Sequence, residues 1–190
     1  MSIILASGSP RRRELLEMLG VNDMKIIPAK GEEIAPEGAG PAELVMALAS
    51  QKGREVAEQC AAGDVIIAAD TIVWHRDRVY GKPHSRQQAL DMLHALSGDS
   101  HQVYTGISVI KDGKEELRYE MSRVYFRELS DEEIEAYVDS GEPMDKAGAY
   151  GAQGKAALFV KRIDGDFFNV MGLPLCTLGE MLKKQGVGLF

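Results

Sequence analysis

The sequence has little cysteine and no apolar run approaching the roughly 20 residues that a membrane-spanning helix needs. Its two cysteines, Cys60 and Cys176, lie far apart in segments of helical character, so two buried, reduced thiols are expected instead of a disulfide. The start of the chain lacks the basic and apolar segments of a secretory signal. These absences favour a cytoplasmic protein that does not enter a membrane.

Acidic residues outnumber basic residues, and this difference limits the classes of ligand that the protein is expected to bind. The chain has 22 Lys and Arg against 29 Asp and Glu, which gives a formal net charge of −7. A protein that binds nucleic acid is expected to carry a basic face, so this class is not favoured. The four histidines show no metal-ligand spacing, so a zinc site is not expected. A polyphosphate ligand would need a local cluster of positive charge.

The opening residues supply such a cluster. A short apolar strand at residues 3–6 meets a Ser-Gly-Ser turn, and Pro10 then begins a helix with Ser9 as its N-cap. Three consecutive arginines at 11–13 lie in the first turn, where cations oppose the helix dipole by up to about 1 kcal/mol. This arrangement favours a bound phosphate, although local sequence alone equally allows solvated arginines.

A carboxylate interrupts the most apolar segment, residues 64–74, which is typical of a strand buried on both faces. Because an isolated buried charge is very costly, Asp70 must be paired, bind metal or lie at the carboxyl end of the strand. Ligands of open α/β sheets gather at that end, so a functional role is favoured over a capping one. The preceding helix, from Pro41 to about Gly63, carries Lys52, which local pattern assigns to a solvated surface.

The remaining pattern alternates between strands and helices. Ser85 and Ser130 mark helix starts, Asp112-Gly113 predicts a two-residue hairpin turn, and a closing helix covers 173–184. Further strands are expected at the following ranges: 24–29, 79–83, 103–110, 116–129 and 156–163. Hairpins mixed with alternating elements predict a mixed α/β domain and not a purely parallel sheet.

Residues 141–154 fit neither a strand nor a helix, because four glycines are interspersed with charged and amide side chains. A long glycine-rich loop inside a compact domain is usually functional or disordered.

Six segments, in order along almost the whole chain, resemble the Maf family of nucleotide pyrophosphatases. They are Ser7-Gly8-Ser9-Pro10-Arg11-Arg12, Glu32-Glu33, Ala69-Asp70-Thr71, Gly81-Lys82-Pro83, residues 141–150 with Gln153-Gly154, and Gly172-Leu173-Pro174. The sequence at 145–150, Asp-Lys-Ala-Gly-Ala-Tyr, is similar to that of the branch acting on thymidine and uridine triphosphates. The resemblance implies hydrolysis of nucleoside triphosphates to the monophosphate and pyrophosphate, which removes non-standard or excess nucleotides.

The resemblance also implies a fold and a site. The fold is the elongated two-lobed α/β fold of inosine triphosphate pyrophosphatases, with residues 1–190 as one domain and the cleft between its lobes. Asp70 is the expected catalytic residue and, with Glu33, holds Mg²⁺ or Mn²⁺. The expected substrate-binding residues are Ser7, Arg11, Arg12, Lys52, Thr71, Lys82 and Gln153. Among these, Arg12, Thr71 and Gln153 are the expected determinants of substrate choice.

Two alternatives stay open at this point. The same fold could act on another nucleotide, such as a modified or purine triphosphate. The chain could also be a nucleotide- or protein-binding regulator of septum formation without turnover, since the family name is tied to cell-division arrest. Carboxylates close to a polyphosphate favour the enzyme, because a pure anion sensor gains nothing from them. The oligomeric state is undecided, with a homodimer as one option.

Overall fold

The computed structural model describes residues 1–189 as a mixed α/β protein, which confirms the predicted fold class. Within those residues the strands are β1 (Ile3–Leu5), β2 (Lys25–Ile26), β3 (Val65–His75), β4 (Arg78–Tyr80), β5 (Ser100–Lys111), β6 (Lys114–Phe126) and β7 (Val160–Asp164). The helices are α1 (Pro10–Met18), α2 (Pro41–Ala57), α3 (Arg86–Leu96), α4 (Asp131–Asp139), α5 (Phe167–Met171) and α6 (Leu175–Lys184). Among residues 1–189 there are also three short 3₁₀ helices, at Glu142–Asp145, Ala147–Ala149 and Lys155–Leu158.

In the part of the chain that the structure describes, the strands form one seven-stranded mixed sheet in the order β2-β1-β3-β5-β6-β7, with β4 paired to β3. Strand β1 runs parallel to both β2 and β3. Strand β4 is antiparallel to β3, and β7 is antiparallel to β6. The two-residue turn Asp112-Gly113, with φ of 49° and 75°, joins β5 to β6 and confirms the predicted hairpin.

The chain divides into two compact units, each with its own apolar core. The first comprises residues 1–70, 105–120 and 172–189, and the second comprises 71–104 and 121–171. In the first unit, Ile4 and Ile66 are among the buried residues that pack with Val56 of α2. In the second unit, α3 and α4 contribute to a larger core with an aromatic centre. Asp70 is the last residue of β3 assigned to the first unit.

Helix starts follow the sequence closely. Pro10 is the first residue of α1, and Ser9 is its N-cap without a side-chain hydrogen bond. Ser85 caps α3 by accepting a hydrogen bond from the amide of Gln88. Ser130, also predicted as a helix start, forms a capping box with Glu133 of α4. These starts were predictable because each depends on residues within one turn of the helix.

Several predicted elements differ from the structure, and the following three show the clearest differences. The strand at 24–29 is reduced to Lys25–Ile26, and Pro28, which lacks an N–H group, follows it closely. Helix α2 ends at Ala57 instead of near Gly63. The first half of the predicted strand at 156–163 is a 3₁₀ helix, because the amide of Phe159 bonds to the carbonyl of Ala156 and closes a turn.

The cysteines form no disulfide in the part of the chain that the structure describes, as predicted. Cys60 is half-buried, and burial raises the pKa of its thiol. Cys176 is exposed, so the expectation of two buried thiols was wrong for this residue. Among residues 1–189, no helix is both long and apolar enough to cross a bilayer.

Candidate functional site

The turn between β1 and α1 holds Arg12 in a fixed orientation. Its Nε donates to the carbonyl oxygen of Gly172 over 2.8 Å, and its Nη1 donates to Ser7 Oγ over 3.0 Å. The same hydroxyl oxygen accepts a hydrogen bond from the amide of Ser9 at 3.2 Å. Both bonds use lone pairs of Ser7, so its hydroxyl hydrogen is left to donate to a ligand.

The charge on Arg12 is balanced by carboxylates of the same unit. Burial lowers the pKa of this half-buried guanidinium below its usual value, and Asp70 and Glu33 oppose that shift. The neighbouring charge of Arg11, which is also half-buried, lowers the pKa of Arg12 further. Arg13 differs, because it is exposed and forms a 2.7 Å ion pair with Glu17 one turn later in α1.

Asp70 is buried in β3 and is paired with a lysine. The Nζ atom of Lys52 lies 2.5 Å from Asp70 Oδ1 and 2.8 Å from Glu33 Oε1. The Lys52 side chain is only 18% exposed, so the prediction of a solvated surface lysine was wrong. Of the three possibilities for this carboxylate, the structure shows pairing, and Asp70 lies in the middle of β3 and not at its carboxyl end. One ammonium group therefore joins the two predicted metal ligands.

Two glycines bring α2 close enough to the sheet for this contact. A Cβ atom on Gly106 of β5 would overlap the backbone carbonyl of Val45 in α2. A Cβ atom on Gly53 would lie 2.9 Å from the hydroxyl of Ser108 in β5. Lys52 precedes Gly53, so the close approach of helix and strand delivers its ammonium to Asp70.

The exposed loop that carries Glu33 is tied to α2 by side chains that sequence reasoning missed. The Gln51 amide accepts a hydrogen bond from Ile34 N at 3.0 Å and donates to Ile34 O at 2.6 Å. The Glu55 carboxylate accepts from the amides of Lys30 and Gly31. The one available signal was their spacing around Lys52 on the same helix. These bonds hold Glu33 near Lys52 although its side chain is 56% exposed.

The carboxylates of Asp70 and Glu33 suit a hard divalent cation whose remaining ligands are water and substrate oxygens. Within residues 1–189 there is no group of three or more His, Cys, Asp or Glu side chains that could hold a metal by itself. Asp70 and Glu33 offer two carboxylates that already contact the same positive group. Mg²⁺ is commonly held by one or two carboxylates together with substrate phosphates and water, so these residues fit such an ion.

The other predicted residues belong to the second unit. Thr71 directly follows Asp70 in β3 and is half-buried, whereas Lys82 and Gln153 are exposed. The carbonyl of Gly81 accepts a hydrogen bond from Gly148 N at 3.1 Å, which ties the glycine-rich loop to the segment of Lys82. The predicted roles of these three residues in substrate binding and choice stay predictions.

Comparisons with known proteins agree with the resemblance in the sequence. The chain is 48% identical over 185 residues to proteins named dTTP/UTP pyrophosphatase from Bacillus anthracis and Bacillus cereus, covering 97% of this chain and 96% of each relative. Its fold is similar to the Ham1 protein of Staphylococcus aureus (TM-score 0.54, 14% identity, 97% of this chain and 100% of that one). It is also similar to a HAM1 protein from Coxiella burnetii (TM-score 0.50, 19% identity, 97% and 99%). The model of the family described as Maf-like protein matches residues 2–185, and the chain belongs to this family.

Proposed function

We propose that this protein hydrolyses nucleoside triphosphates, with dTTP and UTP preferred, to the monophosphate and pyrophosphate. The observation that carries the proposal is the buried Asp70 paired with Lys52, which also pairs with Glu33, in the same unit as Arg12. The choice of dTTP and UTP is supported by the names of relatives that are 48% identical over nearly the full chain.

The arginines of α1 bind the phosphates in this proposal. Arg12 is oriented by the carbonyl of Gly172 and by Ser7, which leaves a planar cation in a defined direction. A guanidinium can hold a phosphate through two parallel hydrogen bonds, whereas the ammonium groups of Lys52 and Lys82 act as point charges. Arg11 adds positive charge, and the hydroxyl hydrogen of Ser7 donates to a phosphate oxygen.

A divalent cation, Mg²⁺ or Mn²⁺, is the proposed cofactor, with Asp70 and Glu33 as its protein ligands. When bound, such an ion neutralises phosphate charge and lowers the pKa of a coordinated water. Because Lys52 contacts both carboxylates, its ammonium keeps them together before the ion and substrate arrive.

The reaction itself is attack of water on the α-phosphorus with loss of pyrophosphate. Asp70 orients that water and accepts its proton as the new P–O bond forms. The bond from the α-phosphorus to the bridging oxygen breaks, and the cationic side chains stabilise the negative charge of the departing pyrophosphate. Thr71 and Gln153 are the proposed determinants of base choice, since a side-chain amide can pair with the O and N–H edge of thymine or uracil.

A nucleotide panel tests the proposal. The purified protein is incubated with each ribo- and deoxyribonucleoside triphosphate and Mg²⁺ or Mn²⁺, and pyrophosphate and orthophosphate are measured separately. We expect equal amounts of monophosphate and pyrophosphate from dTTP and UTP, no orthophosphate, and loss of turnover with excess chelator. Binding of nucleotides without any turnover would contradict the proposal and favour a regulator that senses them.

A further inference from the structure

The segment that presents Gln153 is held at both ends by a chain of hydrogen bonds. On one side, Gly151 N donates to Tyr137 Oη over 3.2 Å. The hydroxyl of Tyr137 donates in turn to Glu142 Oε1 over 3.1 Å. On the other side, Lys155 N donates to the Glu142 carboxylate at 3.2 and 3.3 Å. We call this chain of four residues the Tyr137–Glu142 bridge.

The bridge has a well-defined direction of donation. Tyr137 is 4% exposed, and burial raises the pKa of its hydroxyl, which therefore stays protonated and donates to the carboxylate. Its oxygen lone pairs remain to accept from Gly151 N. The Glu142 carboxylate accepts from both Tyr137 and Lys155, so each link is a bond between a donor and a matched acceptor.

The glycines beside Gln153 show how closely the loop is packed onto the bridge. A Cβ atom on Gly154 would overlap the Glu142 carboxylate, and one on Gly151 would lie 2.6 Å from Cε of Lys146. Lys146 Nζ is itself bonded to the carbonyl of Glu142 at 2.6 Å. The backbone on each side of Gln153 is therefore in contact with the same support.

Gln153 itself is exposed, while its neighbour Ala152 is only 7% exposed. A tightly held backbone that displays one exposed amide is what the recognition of a planar base edge requires. A loop of this composition would otherwise sample many conformations, and part of the binding energy would be spent on ordering it.

We propose that Tyr137 and Glu142 are positioning residues that set base selectivity by holding Gln153 in place. The inference rests on the proposed function, because it assigns the reason for the preference of that site. It adds two residues outside the set that contacts the triphosphate, and both act through the backbone of residues 151–155.

The test uses the hydroxyl deletion Tyr137→Phe, which keeps the ring packed on Phe159, 5.1 Å away between centroids. The expected result is a roughly 3- to 10-fold fall in the ratio of kcat/KM for UTP to that for CTP, since two hydrogen bonds are lost. The change should lie in KM, with kcat for UTP within about twofold of wild type, because the phosphate-binding residues are unaltered. Amide hydrogen exchange of Gly151 and Lys155 should become faster.

Three further variants make the result specific. Tyr125→Phe is the matched control, since it removes a hydroxyl bonded to Asp164 elsewhere in the second unit and should leave the selectivity ratio unchanged. Glu142→Gln keeps a carbonyl oxygen as acceptor and should retain most of the selectivity. Glu142→Ala should match Tyr137→Phe.

Failure of this inference differs from failure of the proposed function. A wild-type protein that releases no pyrophosphate contradicts the proposed function. An active wild type whose selectivity is unchanged in Tyr137→Phe overturns the bridge as a determinant of base choice, whatever the exchange rates. Unchanged exchange of Gly151 and Lys155 overturns the bridge in either case.

Discussion

Gly53 of α2 faces Ser108 of β5 at a distance that leaves no room for a methyl group, since a Cβ atom there would lie 2.9 Å from the serine hydroxyl. The same atom would lie 3.1 Å from Cδ1 of Ile110. This contact fixes the height of α2 above the sheet and hence the position of Lys52 against Asp70.

Substitution Gly53→Ala should therefore destabilise the protein. Forcing a methyl group into a packed contact costs about 1–3 kcal/mol, partly offset by up to about 1 kcal/mol of helix propensity. Gly179→Ala is the matched control, because Gly179 lies within α6 with nothing within 4 Å of its added Cβ. Urea denaturation should show Gly53→Ala less stable than wild type and Gly179→Ala at least as stable. Equal stability of the two variants would contradict the close contact.

Removal of the Arg12 guanidinium should weaken binding of the triphosphate. Arg12→Ala is expected to lower kcat/KM by roughly one to two decades, because a charge-assisted hydrogen bond is worth about 1.5–3 kcal/mol. Arg12→Lys should recover only part of this loss, since it keeps the charge without the planar fork. Arg13→Ala is the control, as Arg13 is an exposed partner of Glu17. Similar kinetics for the Arg12 and Arg13 alanine variants would indicate that these arginines are solvated surface residues with no role in phosphate binding.

Asp70→Asn should lower kcat by at least about 10², the low end for a lost acid–base group. The asparagine keeps the shape of the side chain and a carbonyl oxygen near Lys52, so the fold should persist by circular dichroism. Steady-state kinetics with saturating Mg²⁺ or Mn²⁺ measure the effect. A loss of less than tenfold would remove Asp70 from the chemical step.

Gln153→Glu should weaken discrimination between pyrimidine and other triphosphates. The substitution replaces an amide that can both donate and accept with a carboxylate that only accepts. Competition between UTP and each other triphosphate, measured as the ratio of kcat/KM values, gives the result. Thermal denaturation should be close to wild type, because the Gln153 side chain is exposed. An unaltered substrate profile would remove Gln153 from base recognition.

Folding stability should fall as the solution is acidified from pH 6.5 towards pH 4, and His101 should account for part of the slope. Burial lowers the pKa of His101 from 6.5 to about 3. In the native state, Nε2 of this buried ring lies 2.7 Å from the hydroxyl oxygen of Tyr150. Between these values the unfolded chain binds a proton that the native state excludes, so acid favours unfolding by up to about 1.4 kcal/mol per pH unit.

Urea denaturation of wild type and His101→Phe across pH 4–8 measures this contribution. The variant should show a shallower slope below pH 6.5 and no difference in slope above it. The pKa of Asp99 is lowered to about 2, and its hydrogen bond with His75 is the largest cause. Asp99 therefore contributes to the pH dependence of stability mainly at lower pH. Identical slopes in the two proteins would contradict the assignment to His101.

Elements that depend on neighbours in sequence were predicted well. The capping residues Ser85 and Ser130 and the turn at Asp112-Gly113 act within a few residues of themselves, so the sequence carries the information directly. Asp70 could be singled out because a carboxylate in an apolar strand needs a partner.

The identity of that partner could not be predicted from local pattern. Lys52 looks like a surface lysine on its own helix, and its burial depends on Gly53 and on Gly106, more than 50 residues later. The support of the Glu33 loop by Gln51 and Glu55 is also non-local, since its hydrogen bonds join residues 17 to 25 positions apart. The backbone amides of a loop leave no trace in side-chain periodicity. Tertiary packing therefore decides the parts of the site that propensity and spacing leave open.

Gln51, Lys52 and Glu55 lie close together on α2, so the number of helical residues before them determines the direction in which their side chains point. Each residue of an α-helix advances the side chains by about 100° around the axis. A single insertion or deletion between Pro41 and Gln51 would rotate the turn so that the loop anchors and the ammonium could no longer meet their partners together. The exposed residues 35–38 are not helical, so an insertion or deletion there would not rotate these side chains. Changes in length are therefore expected to be tolerated at 35–38 and not in the helix.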